Sequence, residues 1–209
     1  MSRDTKRVYV LTLIRRPGTP ARTLAEFAEI LNALQPAINF VQTYPDELQG
    51  GLESAATAIR CMLLAAQGAE FWVGLGVGEL KAPRFAAALG VTTIPECTGD
   101  VISYSRIAVE QARTGSPARG VVILGADRSF SEQATGSARL LYRVASARTT
   151  AENRVINLMV PGVRGQQKEA AAALGISSQA VSKTLVRSMY HEQEAAIPAL
   201  AELLVRLDS

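Results

Sequence analysis

The order of apolar segments along the first 78 residues constrains the fold more than any other feature of this sequence. Apolar runs rich in β-branched residues, which are typical of strands, alternate with segments whose apolar residues recur at helical spacing. The pattern predicts strands at 7–14, 38–43, 47–51 and 71–78, and helices from Thr19-Pro20 to Pro36 and from Glu53 to Gln67. The turn Tyr44-Pro45-Asp46 makes the second and third strands a hairpin. The order β-α-β-β-α-β is that of ferredoxin-like folds.

Three further segments extend this predicted domain to residue 148. A helix is expected over 101–113, a strand over 120–124 and a longer helix over 129–148. Gly74, Gly76 and Gly78 alternate along the fourth strand without the spacing of a dinucleotide-binding fingerprint. They predict instead that a helix approaches the sheet closely at this strand.

The C-terminal quarter has the pattern of a helix-turn-helix. A helix over 166–175, a turn at 175–177 and a second helix over 178–190 follow a shorter helix at 151–159. Ala170 is small enough for a close helix crossing, Gly175 suits a left-handed helix end, and Ile176 is expected to fill the corner. We therefore predict an α+β chain: a ferredoxin-like domain at 1–148, and an all-α helix-turn-helix domain with a C-terminal amphipathic helix at 149–209. The alternative to a helix-turn-helix domain is a helical hairpin whose only role is to pack on the first domain.

Charge and side-chain type favour DNA as the partner of this second domain. Residues 150–190 carry a net charge of +3, whereas residues 191–209 carry −3. Val181 and Leu185 are expected to pack inward, which leaves a polar face suited to base edges and phosphates. The predicted DNA-binding residues are Ser177, Ser178, Gln179, Ser182, Lys183 and Arg187, with Arg164 and Lys168 as backbone contacts.

The last segment, 193–207, carries one apolar stripe. This stripe either folds back on the chain's own first domain or pairs with a second copy. Because one helix-turn-helix contacts only a few base pairs, specific affinity normally requires two units related by a twofold axis. We therefore expect a homodimer.

The first 125 residues resemble the nucleotide cyclase-like domain of the SatD family. The resemblance rests on 44–51 (YPDELQGG), on the glycine-punctuated strand 72–79 and on the helical segment 99–113. The family also has a C-terminal helix-turn-helix, so the resemblance covers most of the chain. It implies a cyclase-like domain, and cyclase-like domains tend to dimerise.

This resemblance implies a set of metal-binding carboxylates, and the sequence contains only part of that set. Cyclases hold two divalent cations with one carboxylate on the first strand and one in the hairpin. Here 10–18 contains no acid, and the hairpin retains Asp46 beside Glu47. We therefore expect no cyclase activity, no catalytic residues, no metal and no cofactor.

Basic residues around the degenerate pocket form a candidate ligand site, together with backbone amides near Gly18 and Gly99. Arg15, Arg16 and Arg106, near Asp46, have the chemistry to bind a phosphorylated, nucleotide-like small molecule. The alternative is that Arg15 and Arg16 are solvated turn residues, that Arg106 caps a helix and that Asp46 is an ordinary turn residue.

Composition excludes several other functional classes. Two cysteines and one histidine are too few for a disulfide framework, a zinc cluster or a Ser-His-Asp site. The absence of a long apolar run and of a signal-like N-terminal segment predicts a cytoplasmic protein without membrane contact. The sequence thus favours a DNA-binding transcriptional regulator; an active cyclase-like enzyme with an accessory DNA-binding module and an architectural DNA-binding protein are the alternatives.

Overall fold

The computed structural model describes residues 5–18, 24–83, 92–115 and 119–207. Five strands lie in this part of the chain: β1 (Thr5–Arg15), β2 (Ile38–Tyr44), β3 (Glu47–Leu52), β4 (Phe71–Lys81) and β5 (Val121–Leu124). Eight α-helices accompany them: α1 (Leu24–Asn32), α2 (Ala55–Ala66), α3 (Asp100–Thr114), α4 (Arg128–Ser146), α5 (Thr150–Ile156), α6 (Gln167–Leu174), α7 (Ser178–Arg187) and α8 (Tyr190–Arg206). The predicted α+β class is confirmed.

The strands form one mixed sheet in the order β2-β3-β1-β4-β5. β1 lies between β3 and β4 and pairs antiparallel with both, β2 and β3 form an antiparallel hairpin, and β4 and β5 are parallel. Within the described residues the helices cover both faces of this sheet.

Alternation along β1 divides the core between the two faces. Tyr9, Leu11 and Leu13 belong to the larger buried cluster, together with apolar residues of α1, α2, α4 and α8. Val8 and Val10 face the other side, where they pack with Val101 of α3 and with neighbouring residues. The sheet is therefore the middle of three layers.

The alternating glycines of β4 lie directly beneath α3, as predicted. A Cβ atom on Gly74 would collide with the backbone at Val109 and Ser105, and one on Gly76 with the backbone at Val101. Any larger residue at these two positions would push α3 away from the sheet.

The apolar stripe of the last segment folds back on the chain's own core. Ile197, Leu200, Leu204 and Leu207 are all buried in the cluster that contains β1, α2 and α4. The backbone N–H of Asp127 donates to the carbonyl of Leu207 at 3.2 Å. Of the two arrangements left open by the sequence, the structure has the intramolecular one.

Several helix boundaries differ from the sequence prediction. The first helix ends at Asn32 rather than Pro36, and its predicted start at Thr19-Pro20 lies outside the described residues. The second helix of the C-terminal pair ends at Arg187 rather than Tyr190, because Met189 adopts a left-handed backbone conformation with φ of 54°. The last helix begins earlier than expected, at Tyr190, so Pro198 lies inside it rather than near its start.

None of the described helices has the length and apolar character that crossing a membrane requires.

Candidate functional site

Helices α5, α6 and α7 share a small buried cluster with Tyr190 at the start of α8. Val181 and Leu185 of α7 are 0% and 2% exposed, so the prediction that they pack inward is confirmed. Ala170 of α6 is also buried, as expected for a small residue between two closely packed helices. The other buried members are Val155, Ile156, Ala171 and Tyr190.

The turn between α6 and α7 has defined hydrogen bonds at both of its ends. Gly175 adopts the left-handed conformation, with φ of 66°. Its N–H donates to the carbonyl of Ala172 at 3.3 Å, and the N–H of Ile176 donates to that of Ala171 at 3.0 Å. This pair of bonds is the Schellman pattern that ends many helices. The hydroxyl of Ser177 then accepts from the N–H of Ala180 at 3.1 Å and caps α7.

The role predicted for Ile176 is wrong. Its side chain is 41% exposed and does not fill the corner between the helices. The buried contact among these helices is formed by other residues, among them Ala170, Ala171 and Leu185, and Ile176 lies outside it.

One face of α7 is polar and exposed, and all eight predicted DNA-binding residues are exposed. Gln179, Ser182 and Lys183 lie at helical spacing on the side opposite Val181 and Leu185. Val186 continues this stripe and is 66% exposed, although the sequence analysis did not select it. Its position seven residues after Gln179 is the signal that would have identified it.

Two of the predicted residues also have structural roles. The hydroxyl of Ser177 is the N-cap of α7. The Nε of Arg187 lies 2.7 Å from Oε1 of Glu152 on α5, and this salt bridge holds the end of α7 against the first turn of α5. Among the described residues, the cations Arg164, Lys168 and Lys183 form no ion pair.

The loop that carries Arg164 is held by one side chain. The amide of Gln166 accepts from the N–H of Val160 at 2.7 Å and donates to the carbonyls of Val160 and Val163, both at 2.7 Å. Arg164 is therefore presented on a braced loop beside the N-terminus of α6. This role of Gln166 was not predicted from the sequence.

Of the four residues of the predicted ligand site, Arg15 and Asp46 are in backbone contact, whereas the guanidinium groups of Arg16 and Arg106 bind different partners within the chain. The N–H of Arg15 donates to the carbonyl of Asp46 at 2.8 Å, and the Asp46 side chain is exposed. Arg16 donates through Nη2 to the Tyr142 hydroxyl at 3.2 Å, and its guanidinium carbon lies 5.2 Å from the centre of the Trp72 ring.

Arg106 lies in the middle of α3, so the alternative that it caps a helix is wrong. Its Nη2 lies 3.2 Å from Oε1 of Glu47, and its guanidinium carbon lies 5.2 Å from the centre of the Tyr44 ring. The Glu47 carboxylate is almost fully buried and also accepts from the hydroxyl of Thr43. The buried acid of the hairpin is therefore neutralised within the chain by an arginine.

Beside this ion pair a short chain of neutral hydrogen bonds crosses from the sheet to α3. Gln49 donates to the hydroxyl of Thr12 at 2.9 Å, and Thr12 donates to that of Ser105 at 3.0 Å. All three residues are almost fully buried. The β1 position that faces Gln49 in the sheet is thus occupied by a hydroxyl and not by a carboxylate.

Neither cysteine has the properties of a nucleophile. Burial raises the pKa of the Cys61 thiol to about 12. Burial, and then repulsion from the Glu96 carboxylate, also raises the pKa of Cys97 above its ordinary value. In the described ranges, no three His, Cys, Asp or Glu residues come together as a metal-binding group.

Comparison with protein-family models, with curated proteins and with solved structures gives no match to this chain.

Proposed function

We propose that this protein is a sequence-specific DNA-binding transcriptional regulator that acts as a cytoplasmic homodimer. In this proposal residues 149–209 include a helix-turn-helix unit, with α7 as the recognition helix. Residues 1–148 form a ferredoxin-like, SatD-type body without cyclase activity, which contributes to dimerisation and to sensing a nucleotide-like ligand.

The observation that carries the proposal is the exposed polar stripe of α7. Gln179, Ser182 and Lys183 lie on the side of α7 opposite its buried residues Val181 and Leu185. In helix-turn-helix proteins the N-terminal part of the second helix reads base edges in the major groove. Glutamine can bind adenine through two hydrogen bonds, and the methyl groups of Val186 suit contact with a thymine methyl group.

The cations around this stripe suit contacts with the phosphate backbone. Lys183 lies on α7 itself, while Lys168 and Arg164 lie at the start of α6 and in the preceding loop. Cations in these positions would fix the orientation of the unit on the duplex without reading sequence. Since α8 uses its apolar stripe within the chain, a homodimer would have to form through other surfaces.

The test is selection from a random-sequence duplex library, followed by affinity measurements at several salt concentrations. We expect an enriched motif with twofold symmetry. Gln179→Ala should relax the base preference at one position of the selected motif. It should also weaken the free energy of binding to that motif by roughly 1–3 kcal/mol. Lys183→Ala should weaken binding to all sequences and reduce the salt slope by about one.

Arg206→Ala is the matched control, because it removes an exposed cation from the end of α8, outside the proposed face. It should leave affinity and salt slope nearly unchanged. Failure to enrich any motif, or equal effects of Lys183→Ala and Arg206→Ala, would contradict the proposal. Two further measurements test the rest of the proposal. Formation of cyclic nucleotide from ATP or GTP with Mn²⁺ would contradict the proposed lack of cyclase activity. Sedimentation as a monomer at micromolar protein concentration would contradict the proposed homodimer.

A further inference from the structure

The solvent-facing side of α4 carries an exposed leucine one turn after an exposed glycine. Leu140 is 73% exposed, the highest value for a large hydrophobic residue in the described part of the chain. Gly136 is also exposed, and a Cβ atom placed on it would have no neighbour within 4 Å. Because residues four apart lie on the same face of a helix, the two residues form a projection beside a depression.

Packing within the chain explains neither residue. Glycine inside a helix is destabilising relative to alanine, and no atom of the described residues comes close enough to Gly136 to require glycine there. Leu140 leaves most of its apolar surface in contact with water. A glycine inside a helix is expected where another surface packs closely against it, so this face of α4 is suited to a contact outside the chain.

The charged residues at the two ends of this face have opposite signs. Glu132 lies one turn before Gly136, and Arg143 lies one turn after Leu140. Within the described ranges, Arg143 is exposed and forms no ion pair. The Glu132 side chain is 67% exposed and pairs only with Arg128, which is itself 92% exposed. Such a surface pair contributes little and leaves Glu132 able to bind another cation.

We propose that this face of α4 is the contact surface for a second copy of the chain. The two α4 helices lie antiparallel across a twofold axis at the level of residue 138, midway between Gly136 and Leu140. Leu140 of each copy then packs into the depression at Gly136 of the other. This inference rests on the homodimer of the proposed function and names its interface.

The same twofold axis brings the two charges together between copies. Glu132 lies six residues before the axis and Arg143 five residues after it, on the same flank of the helix. Glu132 of one copy therefore stands opposite Arg143 of the other, and the contact forms twice. Arg139 lies next to the axis in sequence, but its Nε donates to the carbonyl of Val121 at 3.2 Å. This arginine is held on the side of α4 that faces β5 and does not oppose its own counterpart.

The first test exchanges the two charges in the full chain, without DNA, and measures the dimer dissociation constant by sedimentation equilibrium at low ionic strength. Glu132→Arg and Arg143→Glu should each raise this constant roughly fivefold or more, because like charges then face each other twice. The variant with both changes should return to within about threefold of the natural protein. The two positions are about 16 Å apart along one helix, so they cannot interact within one copy. A double variant that is weaker than either single one would overturn the proposal.

The second test concerns the projection and the depression. Leu140→Ala removes the projection and Gly136→Leu fills the depression, and each should raise the dissociation constant roughly tenfold or more. Leu34→Ala is the matched control, because it makes the same truncation at an exposed leucine that follows α1, near the β2 edge of the sheet. It should leave the constant unchanged. Equal effects of Leu34→Ala and Leu140→Ala would overturn the proposal.

The outcomes separate this interface from the proposed function. A natural protein that sediments as a monomer would overturn the interface and the homodimer together, while DNA binding is measured independently. A dimer that none of the α4 substitutions weakens would overturn the α4 interface alone and leave the proposed homodimeric DNA-binding protein standing. All four substituted positions are exposed, and circular dichroism of each variant checks that it is folded.

Discussion

Arg187, the last residue of α7, forms a salt bridge with Glu152 in the first turn of α5, and the Nε–Oε1 distance is 2.7 Å. The other oxygen of the same carboxylate accepts from the N–H of Thr149 at 2.8 Å and closes a capping box at the start of α5. One side chain thus both caps α5 and anchors the helix that carries the proposed DNA-binding face.

Glu152→Ala should destabilise the protein, because it removes the cap of α5 and the partner of Arg187 together. We expect the free energy of unfolding to fall by about 1–2 kcal/mol. Urea denaturation is the measurement. Glu169→Ala, at an exposed position on α6, is the control and should change stability by less than about 0.5 kcal/mol. Equal effects of the two substitutions would show that the salt bridge and the cap do not stabilise the folded protein.

The contribution of Glu152 to the free energy of unfolding should depend on pH. Hydrogen bonds from the Thr149 backbone, followed by the bond from Arg187, lower the pKa of this carboxyl below its ordinary value of 4.5. A lowered pKa in the folded state means that the stabilisation is fully present above the unfolded-state pKa and is lost as the pH falls through the folded-state pKa. The stability difference between the natural protein and Glu152→Gln should therefore be constant near neutrality and shrink below about pH 4. A difference that does not change with pH would exclude this linkage.

Two glycine-to-alanine substitutions should have effects of opposite sign. At Gly76 a Cβ would strike the backbone of α3, so Gly76→Ala should destabilise by roughly 1–3 kcal/mol or more. At Gly136, inside α4, a Cβ would have no atom within 4 Å, so Gly136→Ala should stabilise by about 0.5–1 kcal/mol. Thermal unfolding of both variants is the check, and stabilisation by Gly76→Ala would contradict the close packing of α3 on β4.

The Arg106–Glu47 pair is suited to a double-mutant cycle. Arg106→Met leaves a carboxylate that is only 7% exposed without its cation, and we expect a loss of about 2 kcal/mol. Adding Glu47→Gln to that variant should recover part of the loss, because the neutral amide no longer needs a cation. Chemical denaturation of the three variants measures the coupling. Strictly additive losses would mean that the pair does not interact.

The two cysteines should be inert in the folded protein. Because burial raises the pKa of Cys61 to about 12 and raises that of Cys97 as well, neither thiol forms an appreciable thiolate at pH 8. A thiol-reactive chromogenic disulfide should titrate both cysteines in denaturant and neither one rapidly in native buffer. Rapid native reaction of either cysteine would show that its burial is not maintained in solution.

Features that depend on nearby residues were predictable from the sequence. The apolar runs identified the strands, the alternating glycines of β4 predicted the approach of α3, and helical spacing predicted that Val181 and Leu185 face inward. The errors occur where a local pattern allows more than one packing. Ile176 is an apolar residue in the turn between two helices, yet it is 41% exposed and lies outside the buried cluster that those helices share.

The sequence by itself determined which segments form strands and helices and which side of α7 is polar, because side-chain periodicity and backbone preference act over a few residues. Only the tertiary structure decided that α8 covers its own core, that Arg187 is bound to Glu152 and that Arg148 is buried against Ser188 and Gln193. These contacts join residues that are far apart in the chain, so their partners follow from how the layers pack and not from spacing along the sequence.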